Sequence, residues 1–460
     1  MDNHLKKSLE EIVGVDNFTD SLIDLIAYAK DASEHRQRPD AAVWPVNAEQ
    51  VSAILELANR KKFPVVPRGA GTSLAGLAVP ERGGLIMDMC RMNQIIEINI
   101  EDRLVVVQPG VVYADLDRKL SPHGFFFPPD PASGSVCTLG GNVATNAGGI
   151  KGAKYGTTKD YVLALEVILA DGSFLRTGSR CMKTSSGYDM TKLFVGSEGT
   201  LGVITEITLK INPKPPLGST AMAMFDDLED AGRAISQIMH SGILPCALEI
   251  VDQQTLKAIN QNTTLNLPEV EAILIAETDG YTREETEYQI DKVAEIFHRN
   301  RASTVRRADN REEAEALWTA RKTAYGVMAR INNNLLVEDL AVPMSKVPEM
   351  LRAISDLAKT YNLIIPTVGH AGDGNLHPVI SFDGTKPDEV HRVEEASSEL
   401  FKKVIQLGGT LTGEHGIGLA KARFMRMEHD AKSMEYMWGI KRLFDPNNIL
   451  NPGKMALEAA

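Results

Sequence analysis

The chain has 460 residues, of which 43% are hydrophobic and 24% charged, so it is neither a fibre nor a disordered chain and can form several domains. The formal net charge of −12 argues against a duplex nucleic-acid-binding protein, which needs a basic face. Four scattered cysteines without a CxxC pair exclude a cysteine-ligated iron–sulfur cluster and a disulfide framework.

No apolar run in the sequence has the length of a signal-peptide core or a membrane span. The run at 163–170 is short and is interrupted by Glu166. The sequence therefore predicts a cytoplasmic protein without direct membrane insertion, which a partner could still hold at the inner membrane face.

Residues 47–109 show alternating helix and strand patterns. Asn47 and Gln50 resemble a capping box at the start of a helix. The apolar residues of one helical face follow at Val51, Ile54, Leu55 and Ala58. Short β-rich runs are then found at 63–66, 85–89 and 104–108.

Residues 128–163 are dense in glycine, proline, serine, threonine and asparagine, and they have little apolar periodicity. In a globular chain of this length, such a segment is typical of a loop that wraps a ligand. Strand patterns return at 163–169 and 202–211.

Pro213, Pro215 and Pro216 mark the best domain boundary in the sequence. We therefore expect a domain at 1–216, a second at 217–416 and a C-terminal segment at 417–460. Strand-like and helical patterns alternate beyond the boundary, which predicts an α+β domain. The predicted strands are 220–225, 247–251 and 272–277, and the predicted helices are 226–241, 283–299, 347–361 and 390–407.

Three glycine-rich segments precede the proline boundary. At 65–73 a strand runs into a turn whose closely spaced glycines let backbone N–H groups approach a phosphate. It is not a dinucleotide fingerprint, because Leu74 stands where the third glycine is required. The second segment, 139–149, combines glycines and amides without periodicity, and the third, 196–204, enters a strand. Together they favour a backbone laid along an extended ligand.

The fragments GHAGDGNLHP (369–378) and GEHG (413–416) carry the clearest chemistry. They offer His370, His377, Glu414 and His415. Two imidazoles and one carboxylate suit a divalent cation such as zinc, iron or manganese and leave positions open for substrate. The pattern therefore predicts a metal site with a further imidazole beside it.

The motifs PRGAGTSLAG (67–76) and GSEGTLGVITE (196–206), with residues 128–163, resemble the FAD-binding domain of the vanillyl-alcohol oxidase superfamily. With GHAGDGNLHP, GEHGIG and the tail FDPNNILNPGK (444–454), nearly the whole chain resembles its D-2-hydroxyacid dehydrogenase branch. That branch includes D-lactate dehydrogenases, glycolate oxidase flavin subunits and D-2-hydroxyglutarate dehydrogenases. The resemblance implies an α+β fold with a two-subdomain FAD-binding domain, an α+β substrate (cap) domain, and a C-terminal tail that returns to the FAD domain.

The resemblance also implies FAD as the cofactor. Some relatives attach the flavin through a histidine of the first loop, but none lies between Arg68 and Pro80, so we expect non-covalent FAD. Cys137 is interpreted as a buried structural thiol. The implied cofactor-binding residues are Arg68, Gly69, Ala70, Gly71, Thr72, Ser73, Pro131, Thr138, Gly140, Gly141, Asn142, Thr145, Asn146, Gly148, Gly149, Tyr155, Gly156, Glu198, Gly202, Val203, Ile204 and Asn451.

By position in the family motifs, His370, His377 and Glu414 are the implied metal ligands and His415 the base that takes the substrate's hydroxyl proton. The segment from Trp318 to Arg321 resembles the family's WxxR, which makes Arg321 the expected clamp for the substrate carboxylate. Asp373 and Asn375 either orient the ligands or only cap a turn.

The sequence departs from the hydroxyglutarate branch at Val337 and Val379, which replace a lysine and an asparagine. A second substrate carboxylate would lose its partners, and burying an unpaired charge is costly. D-lactate is therefore the favoured substrate, glycolate the next and D-2-hydroxyglutarate the third. Electrons must leave through an acceptor, for which an iron–sulfur subunit, an electron-transferring flavoprotein or a quinone is expected; a homodimer is compatible with the sequence.

Two other readings stay open. The chain could be a metal-dependent hydrolase whose glycine-rich half is merely structural. It could also be a catalytically silent flavin-binding subunit, although a silent copy has no need of all four metal-site side chains.

Overall fold

The structure, a computed structural model, describes residues 1–458, which divide into two compact units. The first unit comprises Met1–Gly148, Thr157–Lys214 and the described chain from Glu414 onward. The second comprises Gly149–Gly156 and Pro215–Gly413. Each unit contains both helices and strands, so the predicted α+β class is confirmed.

The helices are, in chain order, α1 (Asn3–Val13), α2 (Leu22–Ala27), α3 (Ala48–Lys61), α4 (Tyr113–Leu120), α5 (Leu139–Thr145), α6 (Gly152–Tyr155), α7 (Met190–Phe194), α8 (Leu228–His240), α9 (Gln253–Asn262), α10 (Arg283–Arg299), α11 (Arg311–Leu317), α12 (Thr319–Met328), α13 (Val347–Thr360), α14 (Pro387–Gln406), α15 (Met425–Glu428) and α16 (Ala431–Phe444). Short 3₁₀ turns lie at Val15–Asn17, Met89–Arg91, Ser121–His123, Thr158–Asp160, Met344–Lys346 and Ala422–Phe424.

The strands are β1 (Phe18–Thr19), β2 (Ala41–Val43), β3 (Val65–Arg68), β4 (Leu85–Asp88), β5 (Ile95–Asn99), β6 (Leu104–Val107), β7 (Phe125–Phe126), β8 (Val162–Ile168), β9 (Phe174–Gly178), β10 (Val203–Lys210), β11 (Asn212–Pro213), β12 (Leu217–Phe225), β13 (Ala247–Asp252), β14 (Ala272–Gly280), β15 (Thr304–Arg307), β16 (Asn334–Val337), β17 (Leu340–Ala341), β18 (Thr367–His370) and β19 (Asn375–Phe382).

In the first unit, one sheet has the order β1-β2-β4-β3, in which β2, β4 and β3 are parallel. A second sheet, β5-β6-β10-β8-β9, is antiparallel, and β7 pairs with β11. The buried strands β3 and β4 share a hydrophobic core with α3. The carboxyl end of β3 therefore holds the first glycine-rich turn on a packed scaffold.

Helix α3 starts where the sequence predicted. The side chain of Asn47 accepts a hydrogen bond from the N–H of Gln50, and the predicted apolar face is buried. The reciprocal half of the expected capping box is not formed, because Gln50 Oε1 accepts the N–H of Val46.

Residues 128–163 were interpreted as a loop that wraps a ligand, and this interpretation was wrong for Leu139–Thr145, which form helix α5. Thr138 caps this helix and accepts a hydrogen bond from the N–H of Gly141 at 3.3 Å. A Cβ on Gly140 would lie 2.5 Å from the Cβ of Pro109, so glycine is needed there for close packing. The helix escaped prediction because it is short and lacks an apolar stripe.

In the second unit, the main sheet has the order β15-β12-β14-β13-β18-β19-β16, and β17 pairs with β19. The predicted strands coincide with β12, β13 and β14, and the predicted helices with α8, α10, α13 and α14. Along β13, Ile250 and Val251 belong to different hydrophobic clusters, because successive side chains of a strand point to opposite faces of its sheet. Glu249 shares the face of Val251.

Candidate active site

The predicted cofactor segments of the first unit lie against one another. Gly69 packs so closely on Thr138 that a Cβ at Gly69 would overlap the Thr138 hydroxyl oxygen. The N–H of Glu198 donates to the carbonyl of Ala144 in α5 at 2.8 Å. Asn451, from the C-terminal tail, donates through Nδ2 to the carbonyl of Glu198 at 2.7 Å. Segments far apart in the sequence therefore converge in this unit.

This convergence fits a phosphate-bearing cofactor. Gly71 has a φ of +71°, a backbone conformation that suits glycine and opens the turn after β3. Asn451 is almost fully buried, and its Oδ1 has no hydrogen-bond donor among residues 1–458. A buried polar atom without a partner indicates that another molecule satisfies it.

Several predicted cofactor residues have structural contacts of their own. Arg68 Nη1 donates to the carbonyl of Lys30 at 2.9 Å. Asn146 has a φ of +54°, and its Oδ1 accepts the N–H of Lys159 at 2.9 Å. Val203 and Ile204 begin β10 and are buried in the protein core. Pro131 accepts the N–H of Gly134 at 2.8 Å in the loop before α5.

Glu414 and His415 lie in the first unit beside the cofactor segments. A Cβ on Gly148 would be 2.6 Å from Glu414 Oε2, and the Nε2 of His415 is 3.8 Å from Glu414 Oε1. Directly after them, the N–H groups of Ile417 and Gly418 donate to the two carboxylate oxygens of Glu198 at 2.6 and 2.9 Å. Burial raises the pKa of Glu198 to about 7, although these hydrogen bonds oppose the shift.

Gly149, Tyr155 and Gly156, also predicted to bind the cofactor, belong to the second unit. The hydroxyl of Tyr155 donates to Asp279 Oδ2 at 2.6 Å, and Lys154 forms an ion pair with the same carboxylate. Burial, followed by the interaction with Asp279, raises the pKa of Tyr155. Asp279 thus holds α6 in place.

The histidines of the second unit lie on one antiparallel hairpin. His370 ends β18 opposite Asn375 of β19, and His377 pairs with Val368. The two imidazole rings are buried, with centroids 5.1 Å apart and planes at 81°. Gly374, with a φ of +82°, makes the tight turn that brings the strands together. The structure thus brings together two of the predicted metal ligands.

Glu249 joins His370 to Arg321. The carboxylate is fully buried; its Oε1 lies 2.5 Å from His370 Nδ1 and its Oε2 2.7 Å from Arg321 Nε. Burial alone would raise the pKa of Glu249, but the interactions with His370 and Arg321 outweigh it and keep the pKa below its ordinary value. Arg321, predicted as the carboxylate clamp, is therefore fixed next to a predicted metal ligand.

Asp339 lies close to the other histidine, His377. It is fully buried, and its Oδ1 lies 3.6 Å from His377 Nδ1 and accepts Asn375 Nδ2 at 2.6 Å. Its Oδ2 accepts the hydroxyl of Thr412 at 2.5 Å and the N–H of Gly413 at 2.9 Å. Asn375 thus holds the carboxylate that lies close to His377. Metal-binding histidines commonly have such a carboxylate behind the ring.

Sequence reasoning did not select Glu249 or Asp339. A signal was present for Glu249, because it is the charged residue of the otherwise apolar predicted strand 247–251. A carboxylate at a buried strand position needs partners, and this indicates a site. Asp339 lies two residues after Val337, in the segment VEDLAVP (337–343).

Comparison with known proteins identifies the class. Residues 39–178 match an FAD-binding domain, and residues 214–455 match the C-terminal domain of FAD-linked oxidases. The chain belongs to the family of FAD-linked oxidases. It is an FAD-dependent oxidoreductase of the vanillyl-alcohol oxidase superfamily, as its motifs predicted.

Glycolate oxidase subunit GlcD of Bacillus subtilis is 43% identical to this chain over 98% of the chain and 96% of its own length. A D-lactate dehydrogenase of Anaerostipes hadrus is 36% identical, over 91% of this chain and 90% of its own length. The structure of p-cresol methylhydroxylase with bound substrate superposes with a TM-score of 0.83 at 21% identity, covering 98% and 96% of the two chains. This confirms the predicted fold. No helix within residues 1–458 has the length and apolarity that crossing a membrane requires.

Proposed function

We propose that the protein oxidises a small D-2-hydroxy monocarboxylate to the 2-oxo acid, with D-lactate favoured over glycolate. Non-covalently bound FAD would supply the acceptor for the C2 hydride, and a divalent metal would assist. The observation that carries the proposal is the buried cluster of the second unit, in which Glu249 and Asp339 stand behind two histidines and Glu249 also holds Arg321. Family membership favours this over the hydrolase reading.

The proposed metal ligands are His370, His377 and Glu414. The hairpin supplies two buried imidazoles, each close to a carboxylate. Gly413, which donates its N–H to Asp339, is joined to Glu414 by one peptide bond. This donor set suits zinc, iron or manganese. The bound metal would stabilise the developing alkoxide of the substrate.

The side chains have distinct proposed roles. Arg321 binds the substrate carboxylate: its Nε is taken by Glu249, and its Nη1 and Nη2 have no hydrogen-bond acceptor among residues 1–458. A guanidinium fork matches a carboxylate in two parallel hydrogen bonds. His415 takes the hydroxyl proton through an imidazole nitrogen, since a neutral imidazole accepts protons near neutral pH.

The preference for a monocarboxylate is supported by an apolar pair. Val337 of β16 lies directly opposite Val379 of β19 and belongs with it to one hydrophobic cluster. Val379 is two residues beyond His377 and therefore lies on the same face of its strand. A second carboxylate near this pair would meet apolar surface, whereas the methyl group of lactate suits it. Glycolate is the second candidate substrate, because the Bacillus subtilis relative is a glycolate oxidase subunit.

Electrons must then reach an acceptor. The Bacillus subtilis relative is a glycolate oxidase subunit. We therefore propose an electron-accepting partner, an iron–sulfur subunit or an electron-transferring flavoprotein, for this chain as well. A partner of this kind could also hold a cytoplasmic protein at the membrane face.

The proposal is tested anaerobically. The protein is purified with added zinc or manganese, and D-lactate, glycolate and D-2-hydroxyglutarate are added separately while the visible flavin band is recorded. Rapid bleaching by one acid identifies the substrate and supports the reaction. A yellow, metal-loaded protein that no hydroxy acid bleaches would refute the proposed dehydrogenase.

A further inference from the structure

The carboxylate of Glu249 bridges two groups with different proposed tasks. One oxygen is 2.5 Å from His370 Nδ1 and the other 2.7 Å from Arg321 Nε, and the side chain has no solvent exposure. It lies on the same face of β13 as Val251, whose side chain is part of a hydrophobic cluster. Water therefore cannot easily reach Glu249 to replace His370 or Arg321 as its hydrogen-bond partner.

This geometry determines which ring nitrogen of His370 carries the hydrogen. An ionised carboxylate only accepts hydrogen bonds, so the Nδ1 of His370 must carry the hydrogen. In the neutral ring, the lone pair then resides on Nε2, the nitrogen through which the histidine can bind a metal. Arg321 donates to Glu249 through Nε alone, so its Nη1 and Nη2 are not used in this contact.

We infer that Glu249 is a positioning residue that sets the tautomer of His370 for metal binding and, at the same time, the orientation of Arg321. The inference rests on the proposed function, because it assigns the support of the same site. The binding of the metal and the binding of the substrate carboxylate then both depend on Glu249, although Glu249 itself binds neither the metal nor the substrate.

Glu249→Gln separates the two tasks with almost no change in shape. An amide has one acceptor oxygen, and Arg321 can only donate, so the oxygen must face Arg321. The amide NH₂ then faces His370 Nδ1 and donates to it. The ring therefore moves its hydrogen to Nε2 and loses the lone pair needed for the metal. We expect the variant to lose metal affinity while it keeps the clamp.

Zinc alone serves as the probe. Metal-free protein with bound FAD is titrated with zinc in the presence of a competing chelator, for the wild type, Glu249→Gln and His370→Gln. The matched control is Asp252→Asn, which removes another carboxylate of β13, one that caps α9 through the N–H of Thr255. The expected loss of zinc affinity in Glu249→Gln is about 10- to 100-fold, with Asp252→Asn unchanged. In metal-loaded enzyme, the KM for D-lactate should change less than about threefold, as expected when the binding of the substrate carboxylate is retained.

A second readout depends neither on activity nor on bound metal. In ¹⁵N-histidine-labelled protein without metal, His370, assigned by comparison with His370→Gln, should carry its hydrogen on Nδ1 in the wild type and on Nε2 in Glu249→Gln. Wild-type zinc binding with an Nε2–H tautomer, or equal zinc affinity in Glu249→Gln, would overturn the inference and leave the proposed function standing. A wild type that takes up no zinc would refute the proposed metal site, and the inference with it.

Discussion

The two units support their predicted functional residues in different ways. In the first, the supports are backbone groups: the N–H groups of Ile417 and Gly418 hold Glu198, and Asn451 donates to carbonyls. In the second, the supports are buried carboxylates, Glu249 and Asp339, behind other side chains.

The difference determines which substitutions matter. A site built from backbone groups keeps its donors when most side chains change, and it is sensitive mainly where a glycine permits close approach. A site built from buried carboxylates loses a charge partner with a single substitution, which is costly. We therefore expect large, local effects in the second unit and smaller effects on stability in the first.

The largest effect is expected for His415, which is an exception to this comparison. His415 belongs to the first unit, yet its side chain is the proposed base. His415→Ala should lower the rate of flavin reduction by about 10²- to 10⁴-fold, the usual contribution of a general base, without loss of bound FAD. Anaerobic stopped-flow spectroscopy with saturating D-lactate measures it. His391→Ala, which removes an exposed imidazole from α14, is the control, and an equal rate in both variants would contradict the role.

Arg321→Lys tests the proposed binding of the substrate carboxylate in the second unit. Lysine keeps the positive charge beside Glu249 but cannot present two parallel donors to a carboxylate. A hydrogen bond to a charged group is worth about 1.5–3 kcal/mol, so kcat/KM for D-lactate should fall by about 10- to 100-fold, mostly through KM. Steady-state kinetics with an artificial electron acceptor gives both constants. Arg330→Lys, at an exposed position beyond α12, should leave both unchanged.

The sequence was informative where the signal is local. Clustered glycines marked segments that converge in the first unit. The fragment GHAGDGNLHP assigned His370 and His377 to one predicted site, and the hairpin of β18 and β19 brings their rings together. Alternating apolar patterns predicted β12, β13 and β14.

The rest depends on tertiary partners. Glu249 and His370 are far apart in the chain and meet because β13 pairs with β18, with Glu249 directly opposite His370. No pattern in either segment specifies that register. Helix α5 was also missed because of a tertiary contact. Gly140 is needed for packing against Pro109, and glycine does not indicate a helix in the sequence.

A pH test addresses the backbone-supported carboxylate. The pKa of Glu198 in the folded protein is about 7, above its ordinary 4.5. Its contribution to stability is therefore fully present below about pH 4.5 and is lost as the pH rises through 7. Glu198→Gln stays neutral, so the FAD-free variant should become more stable than the wild type as the pH rises from 5 to 8, by at most about 3 kcal/mol. Urea unfolding at several pH values measures the difference in stability between the variant and the wild type. A difference that does not change with pH would show that the hydrogen bonds from the backbone N–H groups cancel the effect of burial on the pKa of Glu198.

The smallest effects come from two glycines of the first unit that differ only in their surroundings. A Cβ on Gly140 would lie 2.5 Å from the Cβ of Pro109 and 2.9 Å from its carbonyl oxygen, so Gly140→Ala should destabilise the protein by about 1–3 kcal/mol. A Cβ on Gly439, inside α16, would meet nothing within 4 Å, so Gly439→Ala should stabilise it by about 0.5–1 kcal/mol. Urea unfolding of both variants provides the comparison. Opposite signs are required if glycine at position 140 is set by packing, and a stabilising Gly140→Ala would show instead that α5 can move away from Pro109.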